Sequence, residues 1–392
     1  MKKLLIVNSF YSPTIIGGAE ISTQLLAESM TTHFEVHVLT SGPYNKKIVE
    51  ETINEVRVHR IPCNNVYWPG DKNKKRNNFL KLIWHGINTN NPIQKRLLEK
   101  FLKDISPDLI HTQNLSGIGT YIWGIANSLS IPIVHTVRDY NLFEPVNNNK
   151  INRIIASKNR KRSNHVLSAV GISKFIGMKH RDNGFFKYAS SHTIHNIVDS
   201  PVYSKKIIEN NKPLNIGYFG QLEENKGIDT LLNAIHELPS HIIGKLIVCG
   251  SGSQLESLRE EWTAKDKRIS FLGKVNHSTV QKNMSEVDLT VVPSKWDEPF
   301  GRVIIESYRQ STPVLASEVG GIPEIIYDSK YLFEKGKKSA LKEKLKSFFD
   351  YDDKARKEEA EKAFQASEKY LDNTQDYLEV YGKLIDCRRN SI

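Results

Sequence analysis

The chain has 392 residues, enough for two domains that each bury a core, and its 55 Lys or Arg against 44 Asp or Glu give a formal charge of +11. The charge is one-sided: residues 1–200 hold 26 basic against 14 acidic side chains, and residues 201–392 hold 29 against 30. An anionic partner is therefore expected for the first half, whether nucleic acid, an anionic bilayer surface or a diphosphate-linked acceptor.

Lys3–Val7 reads as a first strand, because Asn8 and Ser9 end its apolar run too early for an export signal. The loop Tyr11–Glu20 carries Gly17 and Gly18 ahead of a helix from about Ala19 to Met30. A glycine pair there lets backbone approach a phosphate, or is an ordinary loop. Val36–Leu39 and Val56–Ile61 read as further strands by alternation and β-branching. Asp71–Trp84 sets four cations beside a short apolar and aromatic run, which suits either a solvated loop entering a helix or a segment lying on an anionic membrane face.

Asp108–Asn114 and Pro132–Tyr140 are strands with polar tips, and in parallel α/β sheets such tips line the ligand crevice. Arg138 stands at the second tip. His135, of opposite strand parity, reads as a sheet histidine. Arg153–Arg162 is a basic helix, Val166–Ile172 a strand, and 200–213 a polar linker. Leu214–Leu222 and the following Lys226-Gly227 before a helix repeat the strand, loop and helix of a phosphate cradle, with Gln221 in the loop. Lys245–Gly252 ends in Gly250-Ser251-Gly252, without the third glycine of a dinucleotide fingerprint. After a strand at Ile269–Val275, residues 341–371 turn polar and helical. A last amphipathic helix over 373–388 carries Tyr377, Val380, Tyr381 and Leu384 on one stripe.

The densest signal is Ser294–Glu306, led in by the buried strand Leu289–Val292 and continued by Thr312–Ser317 and by Gly320–Glu324. Pro299 forces Glu298 into an extended conformation and suits a first helical turn. A helix through Arg309 then leaves the N–H groups near Phe300, Gly301 and Arg302 for a polyhydroxylated or anionic ligand. Glu298 stands outside that helix and Glu306 inside it, ~10 Å further along the axis.

Glu298, seven residues and Glu306, with Phe300-Gly301 between them and Gly320-Gly321-Ile322-Pro323-Glu324 downstream, resemble the signature of glycosyltransferase family 4. The match runs through most of the chain. The resemblance implies a GT-B fold: α/β, two doubly wound Rossmann-like domains facing a central cleft. An acceptor-side domain is expected over 1–200, with the helix 373–392 packing back on it, and a donor domain over 213–371. It also implies a retaining glycosyltransferase, of hexosyltransferase type and metal-independent, that uses a nucleotide-sugar donor as substrate and needs no cofactor. By resemblance, Glu298 and the amides of Phe300, Gly301 and Arg302 face the donor sugar, and Glu306 holds the ribose. Lys226, Gly17 and Gly18 meet the diphosphate, and Gly250 and Gly252 contact the nucleotide.

Two departures stand out. Gln221 occupies the place of a family arginine, and Arg138 that of a family histidine near the sugar. Glu298, Lys226 and Arg138 are the expected catalytic residues. Arg138 is always charged and matches a carboxylate bidentately, which suits either an acid group on donor or acceptor or an internal bond to Asp139 or a backbone carbonyl. No Asp-x-Asp follows an early strand, and Asp350-Tyr351-Asp352 lies in the charged helical region. A glycan or lipid-linked acceptor in surface-polysaccharide synthesis is expected. Nucleic acid is not, since no aromatic-interleaved basic patch is present. The alternatives are a nucleotide-sugar epimerase of GT-B fold and a non-catalytic sugar-nucleotide-binding protein. The chain is placed in the cytoplasm, since its three cysteines (Cys63, Cys249 and Cys387) show no metal spacing or paired framework and no apolar run nears the ~20 residues that span a bilayer. The basic first half allows peripheral contact with the inner face of the cell membrane.

Overall fold

The computed structural model describes residues 1–43, 47–71, 76–146, 148–199, 201–203 and 212–389, with side chains to Asp386. Lys72, Lys74 and Lys75 of the basic run, and most of the expected linker, lie outside these residues. The chain divides into two compact units, Met1–Ile197 with Asp372–Ile392, and Val198–Leu371.

The first unit is built on eight strands: β1 (Lys3–Val7), β2 (Glu35–Gly42), β3 (Val49–Ile53), β4 (Val56–Pro62), β5 (Leu109–Thr112), β6 (Ile133–Val137), β7 (Ser168–Gly171) and β8 (Ser190–Thr193). Their order is β3-β4-β2-β1-β5-β6-β7-β8, parallel throughout except for β3 on β4. Apolar residues on both faces of β1 are fully buried, as a parallel sheet covered by helices requires. The edge hairpin of β3 and β4 was not legible. Glu50, Glu51 and Thr52 at the centre of β3 are polar and exposed, and its turn uses Asn54 and Glu55, both at positive φ, without a glycine to mark it.

The helix Thr374–Arg389 belongs to this unit although 174 residues of the second unit intervene. Its Tyr377, Val380, Tyr381 and Ile385 enter the same core as Leu4, Val36, Leu109 and Val134. Its polar atoms are satisfied too. Tyr381 Oη and His111 Nδ1 are 2.7 Å apart, and His111 Nε2 lies 2.7 Å from Thr136 Oγ1, which is 3.2 Å from Tyr377 Oη. Such a paired network costs little to bury, whereas any orphaned member would be expensive.

The second unit has β9 (Leu214–Phe219), β10 (Ile243–Cys249), β11 (Ile269–Gly273), β12 (Leu289–Val292), β13 (Val314–Ser317) and β14 (Leu332–Phe333), in the order β11-β10-β9-β12-β13-β14 and all parallel. In each unit the strand order reverses once, between β1 and β5 and between β9 and β12. Such a switch point opens a crevice at the carboxyl ends of the two strands. Topology alone thus sets where ligands can enter each unit. Among the described residues, no helix is long and apolar enough to cross a membrane.

Asp350 and Asp352 are capping residues. Asp350 closes the helix Lys338–Phe349, and Asp352 accepts from Ala355 N (2.7 Å) to start Asp353–Glu368. That second helix is fastened by Glu359, whose buried carboxylate accepts from Tyr327 Oη (2.8 Å), Tyr331 Oη (2.7 Å), Lys330 Nζ (2.9 Å) and Lys362 Nζ (2.9 Å). Burial alone would raise its pKa, but these four donors outweigh burial and bring it down to about 2. A depressed carboxylate contributes stability that is complete above its unfolded pKa and is lost as pH falls through the folded one. Glu359→Ala is therefore expected to cost about 3 kcal/mol at neutral pH, since it removes the shared acceptor of two tyrosine hydroxyls and two ammonium groups. In urea melts the gap between wild type and variant should close as pH falls from about 5 toward 2.

Candidate active site

At the switch point of the second unit, β12 delivers Pro293 and Ser294, and β9 delivers Gly220 and Gln221. The two loops touch backbone to backbone. Gly227 adopts φ +69 and lies so close to the Pro293 carbonyl that any Cβ would collide with its oxygen. Lys295 N donates to Asn225 O (2.9 Å), and Lys295 Nζ pairs with Asp229 (2.5 Å). This contact sets Lys226 opposite Glu298, with Lys226 Nζ 2.6 Å from Glu298 Oε1 and 4.9 Å from the centre of the Trp296 ring. Ser294 Oγ donates to the same Oε1 at 2.7 Å. Both bonds fall on one oxygen, which leaves Oε2 for the cavity lined by Gly220, Gln221, Lys226, Glu298, Gly301 and Arg302.

The backbone of Glu298 is held from behind. Gly321 N donates to Glu298 O (2.7 Å), and Gly320, at φ +57, leaves no room for a side chain against that same peptide. The downstream glycine pair therefore acts by positioning Glu298. Gly301, at φ +112, starts the helix Arg302–Arg309, and no side chain caps it. Pro299 consequently lies in the loop ahead of the helix and not in its first turn, because the left-handed Gly301 interrupts the helical path. Phe300 is buried with its ring edge-on to Tyr370, so only its backbone can serve a ligand.

Glu306 does not line this cavity. Its Oε1 receives Arg302 Nε at 2.8 Å and lies 3.6 Å from His277 Nε2. Burial opposes its charge, yet His277 and Arg302 outweigh it and hold the carboxyl below its usual value. Gly250 and Gly252 also stand outside the cavity lining. A Cβ on either would strike the carbonyl oxygen of Gly220 or Leu222, so both permit the close packing of the β9 and β10 loops.

In the first unit, Gln113 and Asn114 beyond β5 meet Arg138 and Asp139 beyond β6 in one pocket, together with Trp84, His85, Asn88 and Asn141. Arg138 Nε donates to Gln113 Oε1 (2.8 Å) and Nη1 donates to Asn196 Oδ1. With Nε held by Gln113, a side-on grip of a carboxylate through Nε is taken up, whereas the end-on fork of the two Nη groups does not need Nε. Burial pushes Asp139 above the usual carboxylate range, against the pull of Asn141, Arg138 and Asn114. His135 is a buried sheet histidine, 2.9 Å from Thr112 Oγ1 and drawn down to about 3 by burial. The Gly17 N–H, a sequence candidate for a phosphate, donates instead to Glu20 Oε2 at 2.7 Å, in the first turn of the helix Gly18–Ser29. Among the described residues, no three His, Cys, Asp or Glu side chains cluster as a metal site.

Two family models match consecutive parts of the chain: Glycosyltransferase Family 4 over residues 16–200 and Glycosyl transferases group 1 over residues 199–366. A 42.6 kDa protein in the cps region of Klebsiella pneumoniae is 34% identical over 82% of this chain and 87% of its own length. The chain belongs to glycosyltransferase family 4. Its structure is similar to sucrose-phosphate synthase from Thermosynechococcus elongatus, with a TM-score of 0.74 and 16% identity over 99% of this chain and all of that one. HepE from Anabaena, solved in complex with UDP, matches with a TM-score of 0.70 and 18% identity over 98% of this chain and all of that one. These likenesses give the family 4 enzyme a GT-B fold.

Sequence reasoning missed Ser294 as a partner of Glu298, although its place directly after a strand's carboxyl end was a usable signal. Trp296 and His277 carry no such signal, since their contacts with Lys226 and Glu306 are made only by tertiary packing. Gly320→Ala is expected to displace Glu298. A left-handed non-glycine residue and the backbone collision together should cost at least about 2 kcal/mol and remove most turnover. A thermal melt and a transfer assay on the variant check both effects. Wild-type turnover would mean that Glu298 is not positioned in this way.

Proposed function

We propose that this family 4 enzyme moves a hexose from a nucleotide-sugar donor to a glycan or lipid-linked acceptor in surface-polysaccharide assembly, with retention at the anomeric carbon. The observation that carries the reading is the Lys226–Glu298 pair in an open cavity at the β9/β12 switch point, beside an uncapped helix N-terminus. In the transfer the bond between the sugar's anomeric carbon and the diphosphate oxygen breaks, and negative charge grows on the leaving group. Lys226 and the amides around Gly301 and Arg302 are suited to that charge, and being fixed beforehand they need no reorganisation as it develops. Glu298 Oε2 is assigned to accept from a sugar hydroxyl. Glu306, oriented by Arg302 and His277, is assigned to the ribose, and Gly17 and Gly18, less the amide committed to Glu20, to the diphosphate. Gly250, Gly252 and Gln221 shape the nucleotide's surroundings through their loops. Arg138 is assigned to substrate at the pocket of the first unit, oriented by Gln113 and Asn196.

The cps-region relative and the UDP held by HepE support the pathway and the donor class, each being a statement about that protein. A thermal-shift screen should identify the donor, since a ligand at 100 times its dissociation constant adds ~2.7 kcal/mol. Glu298→Gln and Lys226→Ala should abolish transfer while the melting of the unliganded protein stays within a few degrees. Glu306→Ala should instead weaken the free nucleotide diphosphate by about 1.5–3 kcal/mol. Transfer is expected to survive EDTA, because the leaving charge is met by Lys226 and backbone amides. Wild-type turnover in Glu298→Gln and Lys226→Ala would count against the assignment. Interconversion of a nucleotide sugar without any acceptor would favour an epimerase instead.

A further inference from the structure

Two side chains that line the first unit's pocket are buried with a polar atom that nothing in the protein meets. Gln113 is 3% exposed and His180 is fully buried, and both share the pocket with Arg138 and Asp139. Among the described residues, Gln113 Nε2 and His180 Nε2 have no hydrogen-bond partner. Buried polar atoms are ordinarily paired, so each of these calls for a group from outside the chain.

The neighbours of each atom fix its polarity. Arg138 Nε, which can only donate, meets one end of the Gln113 amide at 2.8 Å, and Thr23 Oγ1 of the helix Gly18–Ser29 meets the same end at 2.6 Å. That end is therefore the oxygen, and turning the amide over would set its N–H against Arg138. Nε2 is left as a donor. In the helix Lys174–Asp182, His180 Nδ1 lies 3.0 Å from Ile176 O, which can only accept. Nδ1 thus carries the proton of the neutral ring, and Nε2 is left as a bare acceptor. Burial beside Phe143, Phe185 and Phe186 keeps that ring neutral and draws its pKa down to about 4.

We propose that this pocket recognises an uncharged sugar ring, and that Gln113 and His180 select it by pairing a fixed donor and a fixed acceptor with its hydroxyls. A hydroxyl both accepts and donates, so a ring carrying several can satisfy the two atoms together. An ionised carboxylate only accepts, and would share the pocket with the bare His180 nitrogen and the Asp139 carboxyl. The one cation of the lining, Arg138, already directs two nitrogens at Gln113 and Asn196. Its further task is to hold the Gln113 amide in the donating orientation, which turns the pocket toward a neutral ring and away from a uronate. A site built this way rejects an analogue that lacks the matched hydroxyl, because its buried atoms are then left unpaired. That the ring belongs to a substrate rests on the transfer reading above, while the polarity of the two atoms stands on its own geometry.

The test titrates the full chain with the methyl glycosides of glucose, galactose, mannose and glucuronic acid, followed by ligand-observed NMR. The best neutral glycoside should bind at least about tenfold more tightly than the glucuronide. Among its singly deoxygenated forms, one should lose at least about tenfold on wild type, and Gln113→Met should lose as much with the parent glycoside. The two losses should not multiply, because both remove the same contact. His180→Phe should behave in the same way with a deoxy form of its own, and unliganded melts check that each variant is folded. Should His180→Phe fail to fold, Gln113→Met still decides. Tighter binding of the glucuronide overturns the proposal, as do losses that multiply and unchanged binding by Gln113→Met. Failure of every glycoside to bind overturns it too and leaves the two atoms to water. Where Gln113→Met weakens a nucleotide sugar relative to its nucleoside diphosphate, the ring is the donor's; where that ratio is unchanged, the ring is the acceptor's, and the site stands in both cases. Glycoside binding without a thermal shift from any nucleotide would sink the transfer reading and leave the sugar pocket standing.

Discussion

The second unit depends on one contact, the packing of the loop after β9 against the loop after β12. Lys226 and Glu298 lie 72 residues apart in the chain and are brought to 2.6 Å because Gly227 has no side chain to keep the Pro293 carbonyl away. The contact places a cation and a carboxylate together in a partly covered cavity, where each lowers the cost of keeping the other charged. It also leaves both available, since Lys226 is shared with an aromatic face and Glu298 uses a single oxygen for its two bonds. Every further feature of the site keeps that pair in register, from the Gly320-Gly321 support behind Glu298 to the Lys295–Asp229 bridge between the loops.

The first unit is built by the same topology and carries a different chemistry. Its pocket beyond β5 and β6 holds amides and a half-buried acid, Asp139, where the second unit holds an ion pair. Arg138 supplies the one guanidinium of that pocket's lining, oriented by the side-chain oxygens of Gln113 and Asn196 and lying beside the Asp139 carboxyl. Hydrogen bonding by amides and hydroxyls suits a polyhydroxylated partner, and fixed cations suit a diphosphate. The division of labour follows from which side chains the two crevices expose.

Closure of the first unit by the C-terminal helix has an energetic reason. Three buried polar groups of the sheet and helix, His111, Thr136 and Tyr381, are mutually satisfied, with Tyr377 joining through its hydroxyl. Removing the helix would expose the apolar stripe of Tyr377, Val380, Tyr381 and Ile385 and strip His111 of a partner. Burial holds His111 far below its ordinary pKa, so the hydrogen bonds involve a neutral ring.

By itself the sequence determined the alternation of strands and helices, and with it the two parallel sheets, because buried strands such as Leu289–Val292 and Lys3–Val7 declare themselves by unbroken apolar runs. It also determined the family and the stretch around Glu298, since glycines and prolines at fixed spacing constrain backbone locally. It did not reveal β3 or its pairing with β4, because the centre of β3 is polar and exposed and the turn lacks glycine. Nor did it place Pro299 outside the helix, which depended on Gly301 adopting a left-handed conformation. Arg138 shows the same limit. Its charge was legible, but the commitment of its Nε to Gln113 was decided by two strands meeting side by side. The contacts of His277, Trp296 and Asp139, and the outward turn of Phe79 in the helix Asn78–Thr89, were likewise decided only by tertiary structure. A side chain's partner is set by which elements pack against it, and periodicity records only that one face of an element is apolar, not whether that face is covered.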